Sequence, residues 1–446
     1  MEAWNLTHSV SMWDNLAAFW RFEDINALWV LSGSILLGMS ASVIGAFAFL
    51  RKRSLIGDAL AHAALPGVMM AFLLFQSRDP VVIFFGALLS SFVGFFIIDW
   101  LPKNTKIKPD AALAITLSFF FALGLMLLSY IQGAELENKS GLDKILFGQA
   151  AAMTESDIHL LAYVSLFILI TVALFFQKFR LIAFNRIYAQ SLGISVKSYE
   201  LLLALLIVMS VVVGLQLVGV VLMAAVLLTP IAATRYWSNQ LTPMLLLAST
   251  IGALSALIST QVSYLAPAMP TGPWMVVSLS LLFMISLFFG TNKGLLKRWL
   301  ETRALRKRVA EENILRTFYK LSERQQERES FSMADVQGMR NMQASQLHAT
   351  LDQMLRKGLI LSQSGGYRLS ESGMQQASQL TRRHRLWENY LMQQAELSPD
   401  MVHQQAERME HILTADEETK LQAELNSSHA DPHGQPIPQG KGERHD

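Results

Sequence analysis

Long apolar runs fill the first 300 residues and constrain the fold more than any other feature of the sequence. Nine of these runs approach the length that a helix needs to cross about 30 Å of hydrocarbon. Beyond residue 300 the apolar runs end, and charged residues and glutamine take over. Because 52% of the 446 residues are hydrophobic and only 16% are charged, an ordinary soluble protein is excluded. We expect an all-α polytopic membrane protein followed by a soluble region.

The charges of the connecting loops predict the orientation of the nine spans. These spans cover residues 27–50, 59–75, 81–101, 111–131, 158–176, 201–217, 219–233, 241–260 and 274–289. The two on either side of Leu217 could instead form one tilted helix. Basic loops such as Arg51–Arg53 alternate with an acidic loop around Glu135, so the positive-inside bias predicts an external N-terminus and a cytoplasmic soluble region. Residues 1–26 are an external aromatic lead-in or, alternatively, a disordered tail.

Asp58 and His62 are the most informative polar residues of the membrane region. The chain has no cysteine, so any metal site must use His, Asp and Glu side chains. Four residues apart on a helix, the two side chains share one face, and ionisable groups inside a membrane are usually functional. A carboxylate with an imidazole suits Mn²⁺, Fe²⁺ or Zn²⁺ better than Mg²⁺ or Cu⁺. Alternatively, Asp58 caps the helix and His62 hydrogen-bonds a backbone carbonyl.

Several motifs of the membrane region resemble those of one transporter family. The segment Ser54–Gly67, which holds Asp58 and His62, is similar to the signature of the permeases of manganese, zinc and iron importers of the ATP-binding-cassette (ABC) class. The likeness extends over about residues 27–292 through further motifs, namely Asp110–Leu113, Phe121–Gly124, Leu142–Gly148, Phe184–Ile194 and Met269–Pro273.

This resemblance implies a transport subunit of the bacterial inner membrane that is not itself an enzyme. It implies that Asp58 and His62 coordinate the transported ion, and a second permease copy, identical or paralogous, would complete the site. It also implies that Asn185, Leu192 and Gly193 transmit motion from a separate ABC ATPase, since the sequence has no glycine-rich phosphate-binding loop. A metal-loaded solute-binding protein and the membrane lipid are further expected partners. Asn185 departs from the family, which usually has an aspartate there.

We divide the region after the last apolar run into four predicted segments. A basic linker helix (293–310) leads to a winged helix-turn-helix (311–372), indicated by two short amphipathic helices and a glycine-containing β-wing. A helical domain (373–426) follows, to which the regulator resemblance described below assigns metal binding and dimerisation. A tail rich in proline, glycine and histidine (427–446) closes the chain.

Histidine and glutamate recur at helical spacing within the helical domain. Six of them would converge if two helices faced each other: His384, Glu388, His403, Glu407, Glu410 and His411. Their nitrogen and oxygen donors again suit Mn²⁺, Fe²⁺ or Zn²⁺. Solvated helix faces with ordinary ion pairs are the alternative interpretation.

Together with Asp431–Pro438, these residues resemble the iron- and manganese-dependent regulators of the diphtheria toxin repressor type, over about residues 311–438. The resemblance implies an ancillary and a primary metal site, made respectively by His384, Glu388 and His403 and by Glu407, Glu410 and His411. It favours Mn²⁺ or Fe²⁺ and leaves Zn²⁺ open. Asn313 departs from relatives, which place methionine or aspartate there.

DNA binding by the soluble region is not favoured by its charge. Residues 303–446 carry 19 Lys and Arg against 20 Asp and Glu, whereas DNA-binding domains usually present a basic face. The predicted reading helix would offer Ser345, Gln346 and His348 with little positive charge. We therefore favour a domain that binds cytoplasmic metal and regulates the permease. The alternative is a membrane-tethered repressor, active on DNA after cleavage near residues 303–308.

Overall fold

The chain divides into two compact units, Met1–Arg298 and Trp299–Asp446. The structure is a computed structural model, and it describes residues 12–21, 24–51, 55–135, 153–266, 269–325, 328–340, 342–363, 365–395, 415–425, 430–431 and 434–438. The first unit holds the apolar runs, and the second holds most of the soluble region.

Helices make up the described part of the first unit. Eight helices among the described residues are long and apolar enough to cross a membrane. They are α2 (Ile25–Leu50), α3 (Ile56–Phe75), α4 (Pro80–Asn104), α5 (Pro109–Gly133), α6 (Glu155–Phe184), α8 (Val196–Val218), α10 (Leu241–Leu265) and α11 (Thr271–Phe289). Three shorter helices accompany them, α1 (Met12–Trp20), α7 (Arg186–Ser191) and α9 (Met223–Thr234).

The structure differs from the nine predicted spans at α9. The predicted run 219–233 forms a helix of only 12 residues, which is about 18 Å long. Gly219 separates this helix from α8 with a backbone φ of 90°, a conformation that residues with a Cβ rarely adopt. The alternative of one tilted helix through Leu217 is therefore wrong, and α9 is shorter than the eight long helices.

The long helices fall into an inner and an outer group. In the most apolar part of α2, α3 and α8, 72% of the residues are buried, compared with 28% in α4 and α11. The outer helices expose large apolar side chains such as Phe85, Leu89 and Leu281, because such side chains are as comfortable against lipid tails as against protein. Helix α3, which carries Asp58 and His62, belongs to the inner group.

Between residues 295 and 369 the described chain forms three helices and a β-hairpin. Helix α12 (Leu295–Arg324) is followed by α13 (Met333–Met339), α14 (Ala344–Arg356), β1 (Ile360–Gln363) and β2 (Gly366–Leu369). The two strands are antiparallel, with Ile360 opposite Leu369. This is the element order of the predicted winged helix-turn-helix, and the assignment itself stays a prediction.

Helix α15 (Glu371–Ala395) and helix α16 (Ala415–Glu424) pack against each other and complete the described elements. The predicted linker helix 293–310 is not a separate element, because α12 continues through it and into the first predicted helix of the winged domain. Buried Leu315, Phe318 and Leu351 lie in the core below the hairpin. The predicted domain boundaries inside the second unit remain predictions.

Candidate metal sites

Asp58 and His62 lie one turn apart near the start of α3. The first turn of a helix favours a negative side chain, because the unpaired amides there carry partial positive charge. Asp58 occupies that turn, and its Oδ1 is 3.6 Å from Nε2 of His62. The Asp58 side chain is 30% exposed and that of His62 is 11% exposed. The pair is therefore enclosed by the helices but reachable from the Asp58 side.

The spacing of these two atoms fits a shared cation. An ion about 2.1 Å from each atom, a usual length for such bonds, would see them at an angle of about 110–120°. That angle suits an open coordination shell without any movement of the side chains. Within the described ranges, no group of three or more His, Asp or Glu side chains could hold a metal ion. Asp58 and His62 thus offer two donor atoms, and their role as metal ligands remains a prediction.

The His62 ring is held by packing rather than by a hydrogen bond. Its plane meets the Phe121 ring edge-on, with 4.7 Å between the ring centroids. Its Nδ1 is buried and has no hydrogen-bond partner among the described residues. Metal-binding histidines usually donate their second ring nitrogen to a neighbouring oxygen, so this ring lacks the customary support.

Close contacts fix α3 against its neighbour α4. A Cβ on Gly67 would overlap the carbonyl oxygen of Gly86, and a Cβ on Gly94 would come within 2.7 Å of the Ala63 side chain. Only glycine permits such approaches. Ser91 of α4 also donates a 3.0 Å hydrogen bond to a backbone carbonyl of α3. The helix that bears the pair is therefore tightly seated.

Asn185, Leu192 and Gly193 surround the short helix α7. The Asn185 side chain accepts a 2.9 Å hydrogen bond from the backbone N–H of Tyr188 and so caps the helix. Gly193 ends the turn with a φ of 74°. Leu192 is 56% exposed and Ile187 is 80% exposed. The segment therefore offers an apolar surface, as expected for a docking element.

Glu200 connects this segment to the end of α2. Its Oε1 is 2.5 Å from Nη2 of Arg51, and its Oε2 is 3.3 Å from Nη2 of Arg186. Arg51 caps α2, only a few residues before α3 begins. The Glu200 carboxylate thus joins Arg186 of α7 to Arg51, which lies seven residues before Asp58 in the sequence. The sequence interpretation missed this residue, since its partners are distant in sequence.

In the second unit, α15 brings His384 and Glu388 together. Nε2 of His384 is 2.8 Å from Oε1 of Glu388, and both side chains are buried. Nη1 of Arg316, on α12, lies 2.7 Å from Nδ1 of His384. A guanidinium only donates, so Nδ1 accepts from Arg316 and Nε2 carries the proton that His384 donates to Glu388. The imidazole is therefore bonded on both sides.

Arginines cluster along the same stretch of α15. Arg385 donates to both carboxylate oxygens of Glu323, at 3.0 and 2.6 Å, and lies 3.3 Å from Asp431. Burial lowers the pKa of Arg385, but the hydrogen bond and charge of Glu323 and the charge of Asp431 raise it by more, so the net shift is upward. This ion-pair network ties α15 to α12 and to the segment that contains Asp431.

Four of the six predicted ligands in this unit, His403, Glu407, Glu410 and His411, lie outside the described residues. The residues that are described fit a divalent cation in their chemistry. His384 and Glu388 supply nitrogen and oxygen donors, and the Asn313 side-chain oxygen is buried without a hydrogen-bond partner in the described structure. A carboxylate with an imidazole suits borderline to hard cations, and an amide oxygen is a further donor of the same kind; whether Asn313 joins the other two remains a prediction.

The predicted DNA-reading residues lie at the start of α14. Ser345, Gln346 and His348 are all exposed. Nδ1 of His348 lies 3.1 Å from the carboxylate of Asp352, so negative charge sits beside this surface. These three side chains face solvent, and their role in reading DNA remains a prediction.

Known proteins match the chain in two parts. The ABC 3 transport family matches residues 24–290, more than half of the chain. The chain belongs to this family. A second family, described as iron dependent repressor, metal binding and dimerisation domain, matches residues 370–439. Both resemblances inferred from sequence motifs are thereby confirmed, and this member of the ABC 3 family carries a repressor-like domain after its membrane unit.

Two relatives and one solved structure are similar to this ABC 3 family member over most of its membrane unit or beyond it. The manganese transport system membrane protein MntC of Bacillus subtilis is 38% identical over 379 residues, 85% of this chain and 87% of that protein. The zinc transport system membrane protein TroC of Treponema pallidum is 37% identical over 275 residues, 62% of this chain and 92% of that protein. PsaBC from Streptococcus pneumoniae in complex with Fab has a TM-score of 0.57 at 30% identity, covering 66% of this chain and 100% of that chain.

Family membership agrees with a multi-pass membrane protein that serves as a transport subunit rather than an enzyme. The relatives are named for manganese or zinc, so metal transport is shown at the level of the class. The role of each site residue remains a prediction.

The sequence interpretation missed Arg316, because nothing in a single helical period marks a charged residue that tertiary packing will bury.

Proposed function

We propose that this chain is the permease subunit of an ATP-driven importer of divalent metal ions, with Mn²⁺ or Fe²⁺ favoured and Zn²⁺ as a further candidate. The observation that carries the proposal is the Asp58–His62 pair, which is 3.6 Å apart on an inner helix. The donor types match the metals for which the relatives MntC and TroC are named.

The pair also supports a second permease copy. Two ligands are too few for a stable four-coordinate site, and the described residues offer no third one nearby. A second copy, identical or paralogous, would contribute two more across a two-fold axis. An external solute-binding protein would deliver the ion.

The segment around α7 supports docking of an ABC ATPase. Exposed Ile187 and Leu192 form an apolar surface beside Arg186, which is unusual outside an interface. We place this segment and the soluble unit in the cytoplasm of a bacterium and the N-terminus outside, following the distribution of basic loops.

We assign the second unit to metal sensing. His384 and Glu388 would supply part of the ligand shell of a divalent cation. When bound, the cation would cross-link the helices that supply its ligands. The ion would displace the proton on Nε2 of His384, so binding is expected to weaken at low pH. Regulation of transport is preferred to DNA reading because the exposed face of Ser345, Gln346 and His348 carries little positive charge.

Uptake measurements test the transport site. We expect Asp58→Asn and His62→Gln each to lower Mn²⁺ uptake by at least about tenfold, since each removes one of few ligands. The matched controls are Asp99→Asn, whose carboxylate pairs with Lys103, and His159→Gln, whose ring meets the Trp29 ring edge-on. Uptake by Asp58→Asn and His62→Gln equal to that of the controls would reject the site. Competition by Fe²⁺ and Zn²⁺ in the same assay ranks the cargo.

A second experiment tests the sensor. The full chain with its ATPase is reconstituted in vesicles that contain Mn²⁺ on the side of the soluble unit. Luminal Mn²⁺ should slow uptake by the unmodified protein but not by Glu388→Gln. If Mn²⁺ leaves uptake unchanged and instead promotes binding of promoter DNA by the full chain, the tethered-repressor alternative is supported.

A further inference from the structure

The segment 293–308, here called the basic segment, has an unusual charge. It contains seven Lys and Arg residues and a single acidic residue, Glu301. It begins four residues after α11 ends at Phe289, and α12 starts inside it at Leu295. A dense positive charge therefore follows directly on the last long apolar helix.

The same segment exposes large apolar side chains. Leu295, Leu296, Trp299 and Leu300 are between 42% and 55% exposed. At 3.6 residues per turn these four positions cover about 140° of the helix circumference on one side. The next two turns place Arg303, Arg306 and Lys307 on that same side, and the Arg303 guanidinium lies 5.1 Å from the centre of the Trp299 ring.

Apolar and basic residues are thus arranged in sequence along one helix face. The face starts with leucine and tryptophan and continues with arginine and lysine. Nucleic acid would satisfy the cations but not the leucines, and an apolar protein groove would satisfy the leucines but not the cations. A lipid surface with anionic headgroups satisfies both, since acyl chains take the apolar turns and phosphates take the basic ones.

We propose that the basic segment binds anionic phospholipid headgroups of the leaflet at which α11 ends. Leu296, Trp299 and Leu300 enter the boundary between headgroups and acyl chains, and Arg303, Arg306 and Lys307 contact the phosphates. The aromatic ring with an adjacent guanidinium is a pairing suited to that interface, because each has an apolar body and a polar edge. This binding is independent of the identity of the transported ion.

The absence of cysteine makes the proposal directly testable. Leu300→Cys and, on the opposite side of the helix, Glu301→Cys are each labelled with a nitroxide in the full chain. The proteins are placed in nanodiscs of phosphatidylcholine alone or with phosphatidylglycerol. With phosphatidylglycerol, the label at 300 should become more accessible to oxygen than to a nickel chelate, while the label at 301 should remain water-accessible. Salt at high concentration should reduce the difference, since the attraction is screened.

Neutralising the cations gives a second, quantitative test. In native mass spectrometry of the full chain, each of Arg306→Gln and Lys307→Gln should lower the preference for phosphatidylglycerol over phosphatidylcholine by about fivefold. The matched control is Arg340→Gln, a basic residue outside the segment. Equal label depth in both nanodisc types, or lipid preference unchanged by Arg306→Gln and Lys307→Gln, would overturn the proposal. A label at 300 immobilised equally in lipid-free detergent would also overturn it, because protein would then cover the face.

Discussion

Each unit contains a histidine and a carboxylate four residues apart on a buried helix, but the two pairs are held differently. In the membrane unit, His62 is 3.6 Å from Asp58 and its Nδ1 has no partner among the described residues. In the second unit, His384 is 2.8 Å from Glu388, and its Nδ1 accepts a hydrogen bond from Arg316. The sequence spacing is the same, and the bonding of the imidazole is not.

The difference bears on what each pair is suited to do. An imidazole with spare bonding capacity accepts an ion without first breaking hydrogen bonds, and releases it as easily. An imidazole that is bonded on both sides must lose a proton and rearrange before it binds a metal. The first arrangement suits rapid binding and release of an ion, and the second suits a site that is filled only at a higher ion concentration.

The comparison predicts that replacing His384 lowers stability more than replacing His62. His384→Ala removes a packed ring together with its two buried hydrogen bonds, one of them from a guanidinium, and should cost about 3–5 kcal/mol in the second unit. His62→Ala removes a packed ring and should cost about 2 kcal/mol in the membrane unit. Hydrogen exchange of the amides of α15 and α3, in the full chain in nanodiscs, measures both effects.

The control for this pair is His348→Ala, which changes an exposed side chain on α14 and should alter stability by less than about 0.5 kcal/mol. Equal protection losses in α3 and α15 would show that the two imidazoles are held alike, and the contrast between the sites would be lost.

The close packing of α3, which carries Asp58 and His62, against α4 is tested by adding one methyl group. Gly67→Ala forces a Cβ into the carbonyl of Gly86 and should destabilise the membrane unit by about 1–3 kcal/mol, with a matching drop in uptake. Gly133→Ala is the control, because nothing lies within 4 Å of the added Cβ. Equal thermal stability of the two variants would mean that α3 is not tightly seated.

Glu200 tests whether the membrane pair is linked to the segment around α7. Glu200→Gln removes the charge that joins Arg51 to Arg186. Because these groups are partly exposed, the link is worth about 1 kcal/mol at most, and uptake should fall by up to about fivefold while the ATPase stays bound. Asp99→Asn, which alters another surface ion pair, should leave uptake unchanged. Loss of the ATPase from purified Glu200→Gln complexes would instead point to docking itself.

The smallest effect concerns pH and the second unit alone. The backbone N–H and then the hydroxyl of Ser332 donate to Asp335 and hold its pKa below the ordinary value. A depressed carboxyl pKa stabilises the fold above the unfolded pKa of about 3.9 and loses that contribution as pH falls further, through the folded pKa. The protection factors of the α13 amides, which compare exchange with that of an unfolded chain at the same pH, should therefore fall below about pH 4, and Asp335→Asn should remove this acid dependence. Protection of α15 should be unaffected by the substitution.

Sequence patterns were sufficient for much of this architecture. Apolar runs predicted the long helices because length and hydropathy report directly on membrane crossing. They did not reveal that the run after Leu217 is a short helix, since a single glycine changes the backbone direction without changing hydropathy. Gly219 ends α8 because its backbone φ is 90°, and a hydropathy average over neighbouring residues does not detect that conformation.

The sites divide in the same way. The spacing of Asp58 with His62 and of His384 with Glu388 predicted that each pair shares a helix face, and the structure places both pairs accordingly. Arg316 could not be predicted, because it lies on the side of α12 opposite Ile314, and only the arrival of α15 buries it. Contacts between residues distant in sequence set the bonding state of each imidazole.

The glycine contacts of α3 have a mechanical consequence. Helices whose backbones interlock, as at Gly67 with Gly86 and at Gly94 with Ala63, cannot slide past one another without unpacking. Helices α3 and α4 should then rock together as one rigid body during an alternating-access cycle. Asp58 and His62 would then keep their position relative to α4 throughout the cycle, and the opening and closing would occur where this pair of helices meets the other helices.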